Sequence, residues 1–374
     1  MANVSVGELK AAIQQKGFQW EPANTPLSAL SLPEQRRRLG LKLSDQEVAA
    51  TARAIEAANA LRALRTERAA PPASADWRNN PGNWLTPVKD QGSCGSCVAF
   101  STVAAIEARI RIACKNAGMP VDLSESSLFF CGCENCCDEG WNFNAALGFC
   151  AETGIAKEES FPYTPQDQPC KSGLKPYIKI NGWSEVLAIE ERKSLLASKG
   201  PMVGGMAIFQ DFYSYGSGIY RHVSGALVGH HAICIVGYDD EEGCWICKNS
   251  WGEGFGENGY FRIAYGEALI DTSFAFYDMD VPCPNGEEEE EEEEEEDGEE
   301  RERDKDAAQY LAALRDVLLE AMENKALRAC LRYHLGGKRG TAPKCSETHM
   351  KVVRTVLSIL AKYPRFQQPF CDVL

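Results

Sequence analysis

Residues 287–300 are thirteen acids and one glycine, with no base among them. Like charges at that density repel and hold the chain extended, so no compact structure buries such a run. It therefore divides the 374-residue chain, and whatever folds must fold before it or after it. The run also supplies thirteen of the charges behind the formal net charge of −15, and the rest of the chain is nearly neutral. Without a basic face there is no counterion release to drive general nucleic-acid binding. The hydrophobic fraction of 44% and charged fraction of 25% are those of a globular protein with a sizeable core.

Four segments follow from patterning. Residues 1–75 are rich in Ala, Leu, Arg and Glu and contain no cysteine. A short helix is expected over Val6–Gln15, then a linker carrying Pro22, Pro26 and Pro33. Ser44-Asp45-Gln46-Glu47 reads as a capping box that opens an Ala-rich helix to about Arg68, stopped by Pro71 and Pro72. This leader reads as an accessory segment, with a partly disordered helical extension as the alternative. Residues 76–283 hold a helix-like run, Val98–Ala113. Strand-like runs follow at Met202–Ile208, Ala232–Tyr238, Trp245–Lys248, Tyr260–Ile263 and Phe274–Met279. Helix first and sheet second gives an α+β protein of two lobes. Residues 284–306 read as an acidic, solvated and disordered linker, or as a docking tail for a basic partner. Residues 307–374 read as two helices, one with Leu311, Leu314, Leu318, Leu327 and Leu331 in its stripe and one with Met350, Val353, Val356 and Leu360. Two short helices make a poor core of their own, so this piece is expected to pack on something, dimerise, or be stapled through Cys330, Cys345 and Cys371. No chemistry is evident in it; His334 and His349 read as surface or packing residues.

Chemistry concentrates in three stretches: Gln91-Gly92-Ser93-Cys94-Gly95-Ser96-Cys97, His230-His231-Ala232, and Lys248-Asn249-Ser250-Trp251-Gly252. Cys97 follows a Gly-rich loop and opens the apolar helix. A thiol there meets free backbone N–H groups at the positive end of a helix dipole, which favours thiolate. An imidazole beside it stabilises the thiolate and later protonates a leaving amine. Asn249 suits the third place, orienting the ring without adding charge. The Gln91 amide and the Cys97 backbone N–H are donors for a developing oxyanion.

In this order the three stretches resemble the active-site signatures of papain-like cysteine peptidases, the cathepsin family. Asp76-Trp77-Arg78, Thr86-Pro87-Val88-Lys89, Leu123-Ser124-Glu125 and Asn258-Gly259-Tyr260-Phe261-Arg262-Ile263 add to the likeness, which covers roughly residues 76–282. The resemblance implies a helical left lobe with Cys97 on its central helix, a β-barrel-like right lobe with His231, and a cleft between them. It assigns catalysis to Cys97, His231, Asn249 and Gln91. It makes Trp251 a shield over the His231–Asn249 hydrogen bond. Gly140 would pair with a substrate strand, Trp141 would wall the main specificity pocket, and Gly205 and Gly229 would leave that pocket roomy for a bulky apolar residue. His230, where the family usually has Asn or Asp, would either perturb the His231 pKa or, as favoured, face solvent. Val98, Glu139 and Phe143 depart from the family pattern, which has Trp, Gly and Trp there, and none of these removes a catalytic atom.

Sixteen cysteines at this length mean disulfides, metal, or both. Cys131, Cys133, Cys136 and Cys137 have zinc-like spacing. The resemblance instead pairs Cys94 with Cys137 and Cys131 with Cys170, leaving Cys133 and Cys136 to each other or elsewhere. Cys114–Cys150 is a further candidate pair, and Cys234 and Cys247 read as buried thiols. No metal and no cofactor is expected.

The expectation is thus a thiol-dependent endopeptidase acting through a Cys–His ion pair and an acyl-enzyme. It would be made as a zymogen, with the leader as intramolecular inhibitor, cut near residues 69–74. Two other readings stay open: a maturation protease or peptide ligase dedicated to one partner, and a catalytically weak binding protein on the same fold. The expected partners are a polypeptide substrate, the chain's own leader, and a docking partner for the C-terminal helices; neither nucleic acid nor membrane is expected, since no window approaches ~18 consecutive apolar residues. The N-terminus lacks the basic and apolar regions of a secretory signal, whereas the cysteine usage favours an oxidising compartment.

Overall fold

The computed structural model describes residues 4–63, 70–133, 136–284, 324–335, 344–347, 350, 352–354 and 356–357. The chain divides into two compact units, Met1–Ala52 with Ala70–Gly286, and Arg53–Ala69 with Glu287–Leu374.

In the first unit the leader is built from α1 (Val6–Lys16), β1 (Glu21–Pro22), α2 (Leu32–Arg36) and the start of α3 (Asp45–Ala63). The same local device opens all three helices. Ser5, Ser31 and Ser44 each bond the glutamate three residues on, and each of those glutamates reaches back to the serine N–H. The stretch read as a Pro linker therefore contains a helix, α2, whose Pro33 sits in its first turn, where a missing N–H costs nothing. The Ala-rich helix is described as far as Ala63; its expected extension to Arg68 lies outside the described residues.

β2 (Ser74–Asp76) leads into a helical half: α4 (Cys97–Ala113), α5 (Glu125–Gly132), α6 (Cys136–Glu139) and α7 (Phe143–Glu152). The sheet half follows: β3 (Gly182–Val186), α8 (Ile189–Lys199), β4 (Met202–Phe209), β5 (Tyr215–Ser217), β6 (Ile219–Tyr220), β7 (Leu227–Asp239), β8 (Cys244–Lys248), β9 (Tyr260–Ala264) and β10 (Phe276–Asp280). The five expected strands are present, the last beginning two residues later than the sequence suggested. The main sheet runs β3-β10-β4-β7-β8-β9-β6, with β2 added against β7. Its path is open, ending at β3 and β6, so the barrel-like half does not close. β7 is central, and the buried α4 packs against it.

Buried charge also joins the halves. Arg109 on α4 ion-pairs with Asp278 on β10 at 2.6 Å and donates to the carbonyls of Pro201 and Met279. A buried guanidinium is tolerable because these acceptors replace its water.

Disulfides join Cys94–Cys137, Cys131–Cys170, Cys133–Cys136 and Cys114–Cys283. The candidate pair Cys114–Cys150 is corrected: Cys114 reaches Cys283, 169 residues away, and Cys150 is a buried free thiol. All four sulfurs of the zinc-like cluster are engaged in disulfides, and no metal-ligating cluster occurs among the described residues. Cys234 and Cys247 are buried and free.

The second unit contains the latter part of α3, α9 (Lys325–Leu335) and short helical stretches within 347–357, with Cys330 bonded to Cys345. The expected helical start at 307–323 and Cys371 lie outside the described residues. No described helix is long and apolar enough to cross a membrane.

Candidate active site

Cys97 is the first residue of α4 and is fully buried. The loop before it is fixed by the Cys94–Cys137 disulfide, by Gly95 N–H donating to the Cys137 carbonyl at 2.8 Å, and by Tyr163, whose hydroxyl donates to the Gln91 carbonyl at 2.8 Å. Val98, in the place of the family's Trp, is fully buried, and Phe143 packs against Tyr277 with ring centres 5.1 Å apart.

His231 lies on β7 and Asn249 just beyond β8, the neighbouring strand. His231 Nε2 is 2.8 Å from Asn249 Oδ1. That oxygen also accepts the Ser250 N–H at 2.8 Å, so it is the acceptor and Nε2 carries the proton. The basic nitrogen of the neutral ring is then Nδ1, which has no hydrogen-bond partner among the described residues. Trp251 lies over the imidazole with ring centres 4.6 Å apart and is itself stacked on Tyr213 and edged by Phe255. Trp251 and His231 are both buried beneath this aromatic cover. Lys248, on β8, donates to the Thr86 carbonyl at 2.8 Å and ties the strand's end to the segment leading to Gln91.

Gln91 is oriented from behind. Ser250 Oγ donates to its Oε1 at 2.7 Å, which turns Nε2 toward the cleft. Nε2 donates to the Cys94 carbonyl at 2.8 Å and to the carbonyl of Arg38, in the leader, at 3.1 Å.

The leader occupies the site. Gly40 N–H points at Cys97 Sγ at 3.3 Å, as does Ala232 N–H at 3.4 Å. Trp141 N–H donates to the Gly40 carbonyl at 2.7 Å, and Lys42 N–H donates to the Trp141 carbonyl at 2.8 Å. A Cβ on Gly40 would lie 1.7 Å from the Gly95 carbonyl oxygen, so only glycine passes here. The Leu41 side chain stands against Gly205 and the Leu39 side chain against Gly229; a Cβ at Gly205 would lie 2.4 Å from Leu41 and 2.6 Å from Phe274. Two ion pairs flank the crossing, Arg38–Asp90 at 2.8 Å and Lys42–Glu139 at 3.1 Å. The backbone paired with the leader is that of Trp141, while Gly140 lies directly beneath Gly40. The Trp141 indole packs on Phe129, 6.1 Å between centres.

Burial pushes the Cys97 thiol up to about 11, against the N–H groups of Ala232 and Gly40, which favour thiolate. It pushes His231 down to about 4, although the Asn249 side chain and the nearby Arg38 backbone favour the protonated ring. Burial thus favours the neutral form of both groups. His230 is not the solvent-facing residue expected: it is half-buried, packs edge-on against Phe274 at 5.3 Å, and is held below the ordinary histidine value by burial.

Sequence reading missed the strap over residues 38–42 and the supporting role of Ser250. The lone glycine in Arg38-Leu39-Gly40-Leu41-Lys42 was the available signal.

The family model described as papain family cysteine protease matches residues 71–276. The chain belongs to this family. Cysteine proteinase 1 of Entamoeba histolytica is 36% identical to it over 202 residues, which is 51% of this chain and 63% of that protein. The match thus spans under two thirds of that relative. Among solved structures, a procathepsin B S9 from Trypanosoma congolense shares the fold with a TM-score of 0.60 at 22% identity, covering 75% of this chain and 99% of that one. The digestive procathepsin L2 proteinase of the Tenebrio molitor larval midgut gives a TM-score of 0.56 at 26% identity, covering 74% of this chain and 88% of that one. Both are proforms. The α+β papain-like fold expected from the sequence is the fold the chain has.

Proposed function

We propose that this papain-family protein is a thiol-dependent endopeptidase, captured with its leader blocking the cleft as an intramolecular inhibitor. The observation that carries this reading is the pair of contacts at one site: the Gly40 N–H on Cys97 Sγ and the Arg38 carbonyl on Gln91 Nε2. The leader occupies both the nucleophile and the oxyanion donor.

Once the strap leaves, burial of Cys97 and His231 is relieved. The helix N-terminus then favours thiolate and the imidazole takes the proton. Sγ attacks the scissile carbonyl carbon, and the oxyanion is held by Gln91 Nε2 and the Cys97 N–H. His231 passes its Nδ1 proton to the leaving amine, and the C–N bond breaks to give a thioester. Water, deprotonated by Nδ1, attacks the thioester; the C–S bond breaks and the acid product leaves. Asn249 holds the ring's orientation throughout, and Trp251 keeps that bond dry.

Gly205, Phe274 and Gly229 form the subsite floor, and the two leader leucines fill it. A bulky aliphatic substrate residue is the preferred occupant there. The test is turnover of a peptide library by processed protein. Cleavage requiring Cys97 and His231, with Leu-like side chains favoured, is expected; turnover undiminished in Cys97→Ala would overturn the assignment, and a preference for small residues would overturn the subsite.

A further inference from the structure

Helix α3 belongs to two bodies. Its first residues lie in the peptidase unit, where Leu43 and Val48 pack against the core. From Arg53 onward it belongs to the unit formed with the C-terminal segment. There Ala54, Ile55 and Ala57 are buried, Ile55 to 3% exposure. In the same unit Leu327, Cys330 and Leu331 form one buried face of α9 at helical spacing, joined by the buried Val353 and Val356, and Cys330 is stapled to Cys345. None of these residues lies in the peptidase core. Neither partner is self-sufficient: an Ala-rich stretch of about three turns is marginal in water, and two short helices cannot bury their own apolar stripes.

We propose that the C-terminal helices are a dedicated partner of the leader. They cover the second half of α3, keep that helix formed, and through its continuous backbone hold the Arg38–Lys42 strap on Cys97. This rests on the reading of the leader as inhibitor, and deepens it: the inhibitory element has two parts, from opposite ends of the chain.

The test avoids the protein's own activity. In a Cys97→Ala background, a recognition site for an exogenous protease is inserted after the exposed Ala70, and the cut leader's dissociation rate is followed by size exclusion. Three variants are compared with the full chain: one ending at residue 284, where the Cys114–Cys283 disulfide still closes the peptidase; Ile55→Asp; and Leu331→Asp, which leaves the leader sequence intact. Each is expected to lose the leader about tenfold faster, the effect of uncovering one large aliphatic side chain. Ile55→Asp should add nothing once the tail is gone. Equal rates with and without the tail would overturn the proposal, as would an undiminished Ile55→Asp effect in the shortened chain. An unreactive Cys97 in the native sequence would leave these rates untouched, so the two readings fail separately.

Discussion

Between Cys94 and Cys283 the chain carries four disulfides, whereas the leader over residues 4–63 contains no cysteine. The peptidase core is cross-linked and continuous. The leader is held at points: Trp20 packs between Tyr215 and Tyr220 and donates to the Arg221 carbonyl at 2.9 Å, β1 pairs with β5, Gly40 crosses Cys97, and Leu41 fills the subsite. Losing the leader removes the Arg38 carbonyl from Gln91 and its backbone from beside His231, and the Leu41 N–H from the His230 carbonyl, but it leaves the His231–Asn249 and Ser250–Gln91 bonds in place. The core's cross-links do not depend on the leader, and substitutions at the attachment points measure how far that division holds.

The largest effect is expected in thiol chemistry. Alkylation needs thiolate, and burial pushes Cys97 up to about 11 while the leader crosses it. In the uncut protein the labelling rate should climb roughly tenfold per pH unit from pH 8 toward 11, about a thousandfold in all. Removing the leader lowers the thiol's pKa, so the rate should be flat over that range and high already at pH 7. A flat profile in the uncut protein would mean the strap does not cover Cys97.

Gly40→Val comes next. The clash is with the Gly95 backbone, which no rotamer relieves, so leader binding should weaken by at least about 3 kcal/mol, a hundredfold or more in the inhibition constant of the separate leader peptide. Trp20→Ala should cost about 3 kcal/mol in the same assay, at the low end for deleting a buried tryptophan. It acts far from the thiol and should leave the processed enzyme's kcat unchanged. Gly205→Leu should separate leader from scaffold in another way: kcat/KM for peptides with leucine in the subsite falls about tenfold, while small residues there are little affected. The smallest change belongs to Lys42→Ala. The Lys42 and Glu139 side chains are 61% and 69% exposed, so their ion pair is worth at most about 1 kcal/mol, under roughly fivefold in leader affinity.

The same contrast explains what was legible in the sequence. Cys97, His231, Asn249 and Gln91 stand in short motifs where each residue type answers a chemical need, and the fold brings all four to one cleft. The strands β4, β7, β8, β9 and β10 were readable from apolar runs because a buried sheet imposes them, whereas the short β5 and β6 were not. The leader's role was much less so. Its decisive contacts are made by main-chain N–H and C=O groups of residues 38–42, which leave no side-chain pattern, and by one glycine defined only by what lies beneath it. α2 was hidden by Pro33, although Ser31 and Glu34 form the same capping box as Ser44 and Glu47. Cys114–Cys283 was unreadable because its halves lie 169 residues apart and only the packed fold brings them together.

The most direct test of the central claim is an intact-mass measurement on the purified chain and on Cys97→Ala, after mildly acidic incubation in reductant with a thiol-directed epoxide inhibitor. One adduct is expected, absent from Cys97→Ala, on a species that has lost about the first 70–75 residues. No adduct on a folded protein that has lost its leader would contradict it. An adduct on a chain that keeps its leader would show that the strap does not guard the thiol.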